Sequence, residues 1–136
     1  MVTYQHATSV TNVQRFIAGM CSTIFALAPR GYGKTSFRMY ESIQLGAVPV
    51  YIFDEPWLPY TDKLDWDEFA VMCHIDDIDS LYDRLVGINE ESIWAMQHKL
   101  GPVWEEFFSF EGVSRQILTY LKEGWVNELV GLPKQR

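Results

Sequence analysis

Thr23-Ile24-Phe25-Ala26-Leu27, then Ala28-Pro29-Arg30-Gly31-Tyr32-Gly33-Lys34-Thr35, then Ser36-Phe37-Arg38-Met39-Tyr40-Glu41 is the stretch on which the fold turns. A continuous apolar run reads as a buried strand, a glycine-bearing turn follows it, and a helical pattern starts directly after the turn. Strand, loop and helix start in that order make a place for a phosphate. Loop and helix N–H groups point at the anion, glycines let the backbone approach, and the helix dipole favours negative charge there. Arg30, Lys34 and Arg38 add three cations within nine residues, in a chain whose formal charge is -7.

Outward from this stretch, an α/β domain takes shape. Upstream, residues 12–20 place Val13, Phe16, Ile17 and Met20 at helical spacing, and residues 1–10 are expected to fray. Residues 23–27 are the first strand, and the helix after the loop runs from Ser36 to Leu45 with Phe37, Tyr40 and Ile43 on one face. Gly46 stops that helix. The run 47–53 fits a strand covered on both faces of a parallel sheet, and Phe69 to Cys73 is a third strand after a loop carrying Pro56 and Pro59. Helices are expected over Asp77 to Val86, over Glu90 to Phe108 with an interruption at Gly101-Pro102, and over Val113 to Leu129. The whole of 1–136 reads as a single domain, or as one half of a two-domain protein. In such sheets ligands bind beyond the carboxyl ends of the strands, so the loops at 28–35 and 54–60 are expected to face one cleft.

Composition narrows the function. The acidic balance argues against a nucleic-acid partner, because neutralising phosphates needs a basic surface. The sequence holds no apolar run near the length of a membrane span and no signal-peptide pattern, so it reads as soluble, with its compartment left open. Cys21 and Cys73 are too few for a disulfide framework and are expected to be buried thiols. His6, His74 and His98 lack metal-ligand spacing. Asp65-Trp66-Asp67 copies an Asp-x-Asp metal motif, but with 18 acidic residues such pairs arise by chance, and a cap at a loop end is the reading taken; no metal or other cofactor is assigned.

Two ligands suit the phosphate loop. Ala28 to Thr35 fits a relaxed nucleoside-triphosphatase loop ending in Gly33-Lys34-Thr35, with Asp54 after the second strand as the magnesium acid. Against this, Pro29 and Arg30 stand where exposed N–H groups are needed, and only about 20 residues separate Lys34 from Asp54. The other ligand is a nucleotide-sugar, its diphosphate met by Arg30 and by the loop Gly31, Tyr32, Gly33, Lys34, Thr35 and Ser36, with Arg38 nearby. Glu41 lies roughly 8 Å further along the helix at about 1.5 Å per residue, the reach from a pyrophosphate to ribose hydroxyls. The plainer reading of Glu41 is a surface pair with Arg38 at i,i+3. Asp54, Glu55, Trp57 and Tyr60, on the loop after the second strand, are candidate acceptor or sugar contacts; loop solvation and packing are the alternatives, and packing is the alternative for Trp66 as well.

Several blocks carry a family likeness. Phe25-Ala26-Leu27-Ala28-Pro29-Arg30-Gly31-Tyr32-Gly33, Thr35-Ser36-Phe37-Arg38-Met39-Tyr40-Glu41, Gln44-Leu45-Gly46-Ala47-Val48-Pro49-Val50, Trp57-Leu58-Pro59-Tyr60 and Leu64-Asp65-Trp66-Asp67-Glu68-Phe69 resemble, in order, the exostosin-type (GT47) glycosyltransferases. The resemblance implies a Rossmann-like parallel sheet flanked by helices, one half of a two-domain GT-B enzyme, and specifically the C-terminal half that binds the nucleotide-sugar donor. It implies that Arg30 holds the diphosphate and stabilises it as leaving group, that Glu41 holds the ribose of a UDP-sugar, and that transfer to a glycan acceptor proceeds without metal. Residue 28 is Ala where many members carry Cys. In the family a second, upstream domain carries the acceptor, and in inverting members the general base. That domain is expected to be missing here, so turnover is expected only when a partner supplies it. The alternative is a non-catalytic or truncated interaction domain that kept the fold and lost the chemistry, against which the intact Arg30 and Glu41 weigh. For the rings of the C-terminal helices, Trp94, Trp104, Phe107, Phe108 and Trp125, packing against the sheet is the first reading. Where these helices reach back to the missing domain, some of the rings would be exposed on a lone half and favour self-association. Family members are often Golgi proteins with a membrane anchor.

Overall fold

The computed structural model describes residues 10–122. In chain order these form α1 (Val10–Cys21), β1 (Phe25–Pro29), α2 (Phe37–Leu45), β2 (Val48–Phe53), a 3-10 turn (Trp66–Glu68), β3 (Val71–His74), a second 3-10 stretch (Ile75–Ser80), α3 (Leu81–Gly87), α4 (Glu90–Val103), a π-helical turn (Trp104–Phe108) and α5 (Phe110–Lys122). The strands form one parallel sheet in the order β1-β2-β3. The expected α/β arrangement with a parallel sheet is what the chain adopts. The fraying expected over 1–10 lies outside the described residues except at Val10, where α1 begins, and Trp125, His6 and the helix beyond Lys122 lie outside them too.

β2 is the centre of the sheet. From Val48 to Ile52 every residue is buried, as a strand between two neighbours and two covered faces requires. Pro49 is tolerated inside it for a directional reason. The Val48 N–H donates to the Ile24 carbonyl on the β1 side, so the next residue's missing N–H belongs to the β3 side. β3 pairing begins only one residue later, at Val50↔Val71, so no ladder bond is lost. α2 packs on β1 and β2 through Met39, Ser42 and Ile43, at spacing i, i+3, i+4. This corrects the expected face: Phe37 is 85% exposed, and the small Ser42, its hydroxyl donating to the Arg38 and Met39 carbonyls, takes a buried contact position. Gly46 ends α2 as expected, in the left-handed conformation at φ 80.

Other boundaries moved for local reasons. β1 starts at Phe25, not residue 23, because the N–H groups of Ser22 and Thr23 close the end of α1 on the carbonyls of Ala18, Gly19 and Met20. It ends on Pro29. β3 starts at Val71 because Phe69 and Ala70 donate back to the Trp66 carbonyl. The segment before α3 is 3-10, with the His74 ring accepting the Asp76 N–H at its head. Pro102 does not interrupt α4; a proline removes one intrahelical donor, and the helix continues to Val103 before widening to the π turn, where Ser109 N–H reaches back to the Trp104 carbonyl at 2.7 Å.

That turn carries the aromatic part of the core. Phe108 meets Tyr40, Tyr60 and Trp66, and Phe107 meets Tyr60, at centroid distances of 5.2 to 5.9 Å. Trp66 is buried and donates its indole N–H to the Pro59 carbonyl, so packing is its role. Of the C-terminal rings, Phe107 is buried, Trp104 and Phe108 are half-buried, and Trp94 stays 64% exposed against His98. Cys73 is buried as expected; Cys21, expected to be buried, is exposed at the last residue of α1. Among the described residues no helix is long and apolar enough to cross a membrane.

α5 approaches the π turn so closely that a Cβ on Gly112 would lie 2.7 Å from the backbone of Glu105 and Glu106. Gly112→Ala is therefore expected to destabilise the chain by about 1–3 kcal/mol in urea denaturation. Gly19→Ala, on exposed α1 with no atom within 4 Å of its new methyl, is expected to stabilise it by about 0.5–1 kcal/mol. Equal effects of the two changes would refute the close approach.

Candidate functional site

The parallel register brings the two predicted loops together. Pro29 lies opposite Ile52, so Arg30 leaves β1 beside the end of β2, and its N–H donates to the Ile52 carbonyl at 3.0 Å. The Arg30 guanidinium donates from Nη1 to both carboxylate oxygens of Asp54, each at 2.5 Å. Four residues on, the Lys34 ammonium pairs with Glu55. Both cations of the first loop are thus matched by acids of the second. The loops meet at one end of the sheet, but across these ion pairs rather than across the expected cleft.

Tyr51 explains the closeness of the loops. Its side chain is fully buried in β2, and its hydroxyl donates to the Lys34 carbonyl at 2.6 Å while accepting the Trp57 N–H at 3.3 Å. One phenol therefore ties the backbone of both loops, and burial raises its pKa. His74, at the end of β3, adds a second tie. Its Nδ1 accepts the Asp76 N–H, which leaves the proton on Nε2, and Nε2 donates to the Asp54 carbonyl at 3.0 Å. Sequence reasoning gave neither residue a part. The signal for Tyr51 was a phenol late in an otherwise apolar buried strand, since a buried hydroxyl must find a partner near its strand end.

The remaining predicted residues fall as follows. Gly31 N–H donates to the Thr35 carbonyl at 3.1 Å and so closes the loop on itself. Tyr32 and Gly33 are exposed at its tip. Thr35 shares a 3.3 Å hydrogen bond with the Tyr40 hydroxyl. Ser36 is buried and precedes α2 in extended conformation, its side chain making no capping bond. Arg38 and Glu41 pair with each other at 3.5 Å, half-exposed, and Arg38 also lies 4.5 Å over the Phe16 ring of α1. The structure therefore groups Arg30, Lys34, Asp54 and Glu55, and places Arg38 with Glu41 as a separate pair toward α1. Trp57 is half-exposed at the rim, whereas the Tyr60 ring is held against Phe107 and Phe108, at φ 57. Asp65 accepts the Asp67 N–H at 3.1 Å, the cap that its position suggested.

Two features of this geometry bear on the triphosphatase reading. Such a loop needs its N–H groups turned to the anion, yet those of Arg30 and Gly31 are spent on protein carbonyls. The would-be magnesium acid, Asp54, is occupied by Arg30. Concavities of about 410 to 500 Å³ lie elsewhere, one lined by Leu58, Lys63, Asp65 and Met72, another by Val71, Arg84 and Met96.

The Asp54 carboxyl is held down to about 2, by the Arg30 hydrogen bond first and the Glu55 N–H second. A depressed carboxylate stabilises the fold above its unfolded value and loses that contribution as pH falls through the folded value. Wild type is therefore expected to melt above Asp54→Asn near neutral pH, with the gap closing between about pH 4 and pH 2; the pair is exposed, so the gap is small. Melting curves of the two proteins across that range check it, and a gap independent of pH would show that the ion pair is not formed.

Known proteins share this arrangement of blocks. The family model described as the exostosin GT47 domain matches residues 2–88. A protein named probable glucuronosyltransferase GUT1 from Oryza sativa subsp. japonica is 34% identical over 92 residues, which is 68% of this chain and 22% of that protein. Exostosin-1 of Drosophila melanogaster is 31% identical over 64% of this chain and 11% of its own length. Exostosin-1b of Danio rerio is 30% identical over 74% of this chain and 13% of its own. The chain thus spans less than a quarter of the length of these relatives. The matched residues hold β1, the Arg30 loop, α2, β2 and β3 together, and on that footing the chain belongs to the exostosin GT47 family.

Proposed function

We propose that this domain binds the diphosphate of a nucleotide-sugar, a UDP-sugar, and takes part in transferring the sugar to a glycan acceptor without a metal ion. Membership of the exostosin GT47 family supports the class of reaction, and the relative named as a glucuronosyltransferase supports a sugar donor. One observation carries the assignment to this loop. Arg30 and Lys34 stand together at the carboxyl end of the sheet, before the start of α2, whose first N–H groups no Ser36 side chain caps.

In this reading Arg30 and Lys34 supply the countercharge that a metal would otherwise give. Charge builds on the diphosphate as the glycosidic bond breaks, and fixed cations and helix N–H groups favour that state over the intact donor. Glu41, one helical turn beyond the loop, would accept the ribose hydroxyls, leaving its present partner Arg38. The half-exposed Trp57 offers an aromatic face to a sugar ring. Asp54 is a weak candidate for proton transfer, since a carboxyl held at about 2 is a poor base at neutral pH. The acceptor and the catalytic base belong, in this proposal, to a facing domain.

The test is a thermal-shift titration with UDP, GDP and ATP, each with EDTA or with magnesium, on wild type and Arg30→Ala. A metal-independent rise with UDP that Arg30→Ala abolishes is expected; at a ligand concentration of about 100 Kd the stabilisation is about 2.7 kcal/mol. A rise only with ATP and magnesium would return the triphosphatase reading. No shift with any nucleotide would favour a family member that keeps the fold and has lost the donor site.

A further inference from the structure

We infer that Asp54 is a positioning residue for Arg30, holding its guanidinium by Nη1 and leaving the Nε–Nη2 edge for a phosphate; the inference rests on the diphosphate reading above. A guanidinium carries five N–H donors, and its Nε–Nη2 fork matches two oxygens of one phosphate. Asp54 takes both of its contacts from the single nitrogen Nη1. Among the described residues Nε and Nη2 have no partner, so three donors remain after the carboxylate is bound. A carboxylate competing with the ligand would sit in the fork. This one sits at the far corner.

The carboxylate is itself fixed. Oδ1 accepts the Glu55 N–H at 2.8 Å, and the Asp54 carbonyl accepts Nε2–H of His74, whose ring lies edge-on to Phe53 at 5.7 Å. A chain of directed contacts thus runs from β3 through His74 to Asp54 and on to Arg30. Arg30 is only 34% exposed and is already oriented, so less side-chain freedom is lost when an anion arrives. Asp54 therefore helps the binding of negative charge although it is negative itself, because orientation outweighs screened repulsion at an exposed site.

The sign of one change decides the matter. UDP and uridine are titrated into the 136-residue chain as wild type, Asp54→Asn and Arg30→Ala, with affinity read by calorimetry for UDP and by chemical-shift changes for uridine. The expected result is about a tenfold weaker UDP affinity for Asp54→Asn, as one immobilised side chain is worth, with uridine affinity unchanged. Without ligand, the Arg30 Nη resonances should be split by slow rotation in wild type and merged in Asp54→Asn. Unchanged or tighter UDP binding by Asp54→Asn would overturn the inference, the second marking Asp54 as a competitor. Equal losses for UDP and uridine would reduce it to a structural role and overturn it too. If wild type and Arg30→Ala respond to UDP alike, the diphosphate reading has failed, a result distinct from failure of Asp54 alone.

Discussion

A parallel strand buried on both faces has no access to water, so each of its backbone groups must be met by a neighbour and each side chain by a packed layer. β2 imposes that demand on the rest of the domain. Its buried residues from Val48 to Ile52 require β1 on one edge and β3 on the other. They also require α2 and α4, and the aromatic turn after α4 closes the region where the loop behind β2 returns. Where the demand cannot be met the strand adapts: its one proline stands where β3 has not yet begun.

The same strand delivers the chemistry. Parallel pairing aligns the carboxyl ends, and the register that sets Pro29 against Ile52 puts Arg30 next to Asp54 without any long-range search by the side chains. The Tyr51 hydroxyl then turns strand position into loop position, since both loops are hydrogen-bonded to one atom of the core. Acids facing cations across that gap give the loops a defined form with modest energy, because exposed ion pairs contribute little. A charged ligand can draw Lys34 away from Glu55 at small cost, which a buried pair would not allow.

Much of this was legible in the sequence where the cause is local. The run from Ala47 to Phe53, the stop at Gly46 and the order strand, loop, helix follow from burial and from glycine's left-handed backbone. The boundaries of β1 and β3 were not, because they depend on which N–H groups neighbouring turns have already claimed. The facing of α2 was missed at Phe37, where hydrophobicity suggested burial, while a serine whose hydroxyl bonds to its own helix took the contact. At the site, Arg30, Lys34, Asp54 and Glu55 were all marked, but their pairing needs the register, which one-dimensional spacing does not contain. Glu41 shows the converse: the surface pair with Arg38 that its spacing suggested is the contact seen.

Pro29 closes β1, and its position shapes the outer edge of the sheet, which no other strand pairs with among the described residues. Ile24 and Arg30 turn their backbone groups toward β2, so by strand alternation Phe25, Leu27 and Pro29 turn theirs outward. The first two offer N–H donors along that edge and the proline offers none. An added strand could therefore be recruited along most of β1 but would lose its footing one residue short of Arg30. The edge thus has a built-in terminus: the sheet can be widened without covering the mouth of the loop beyond it.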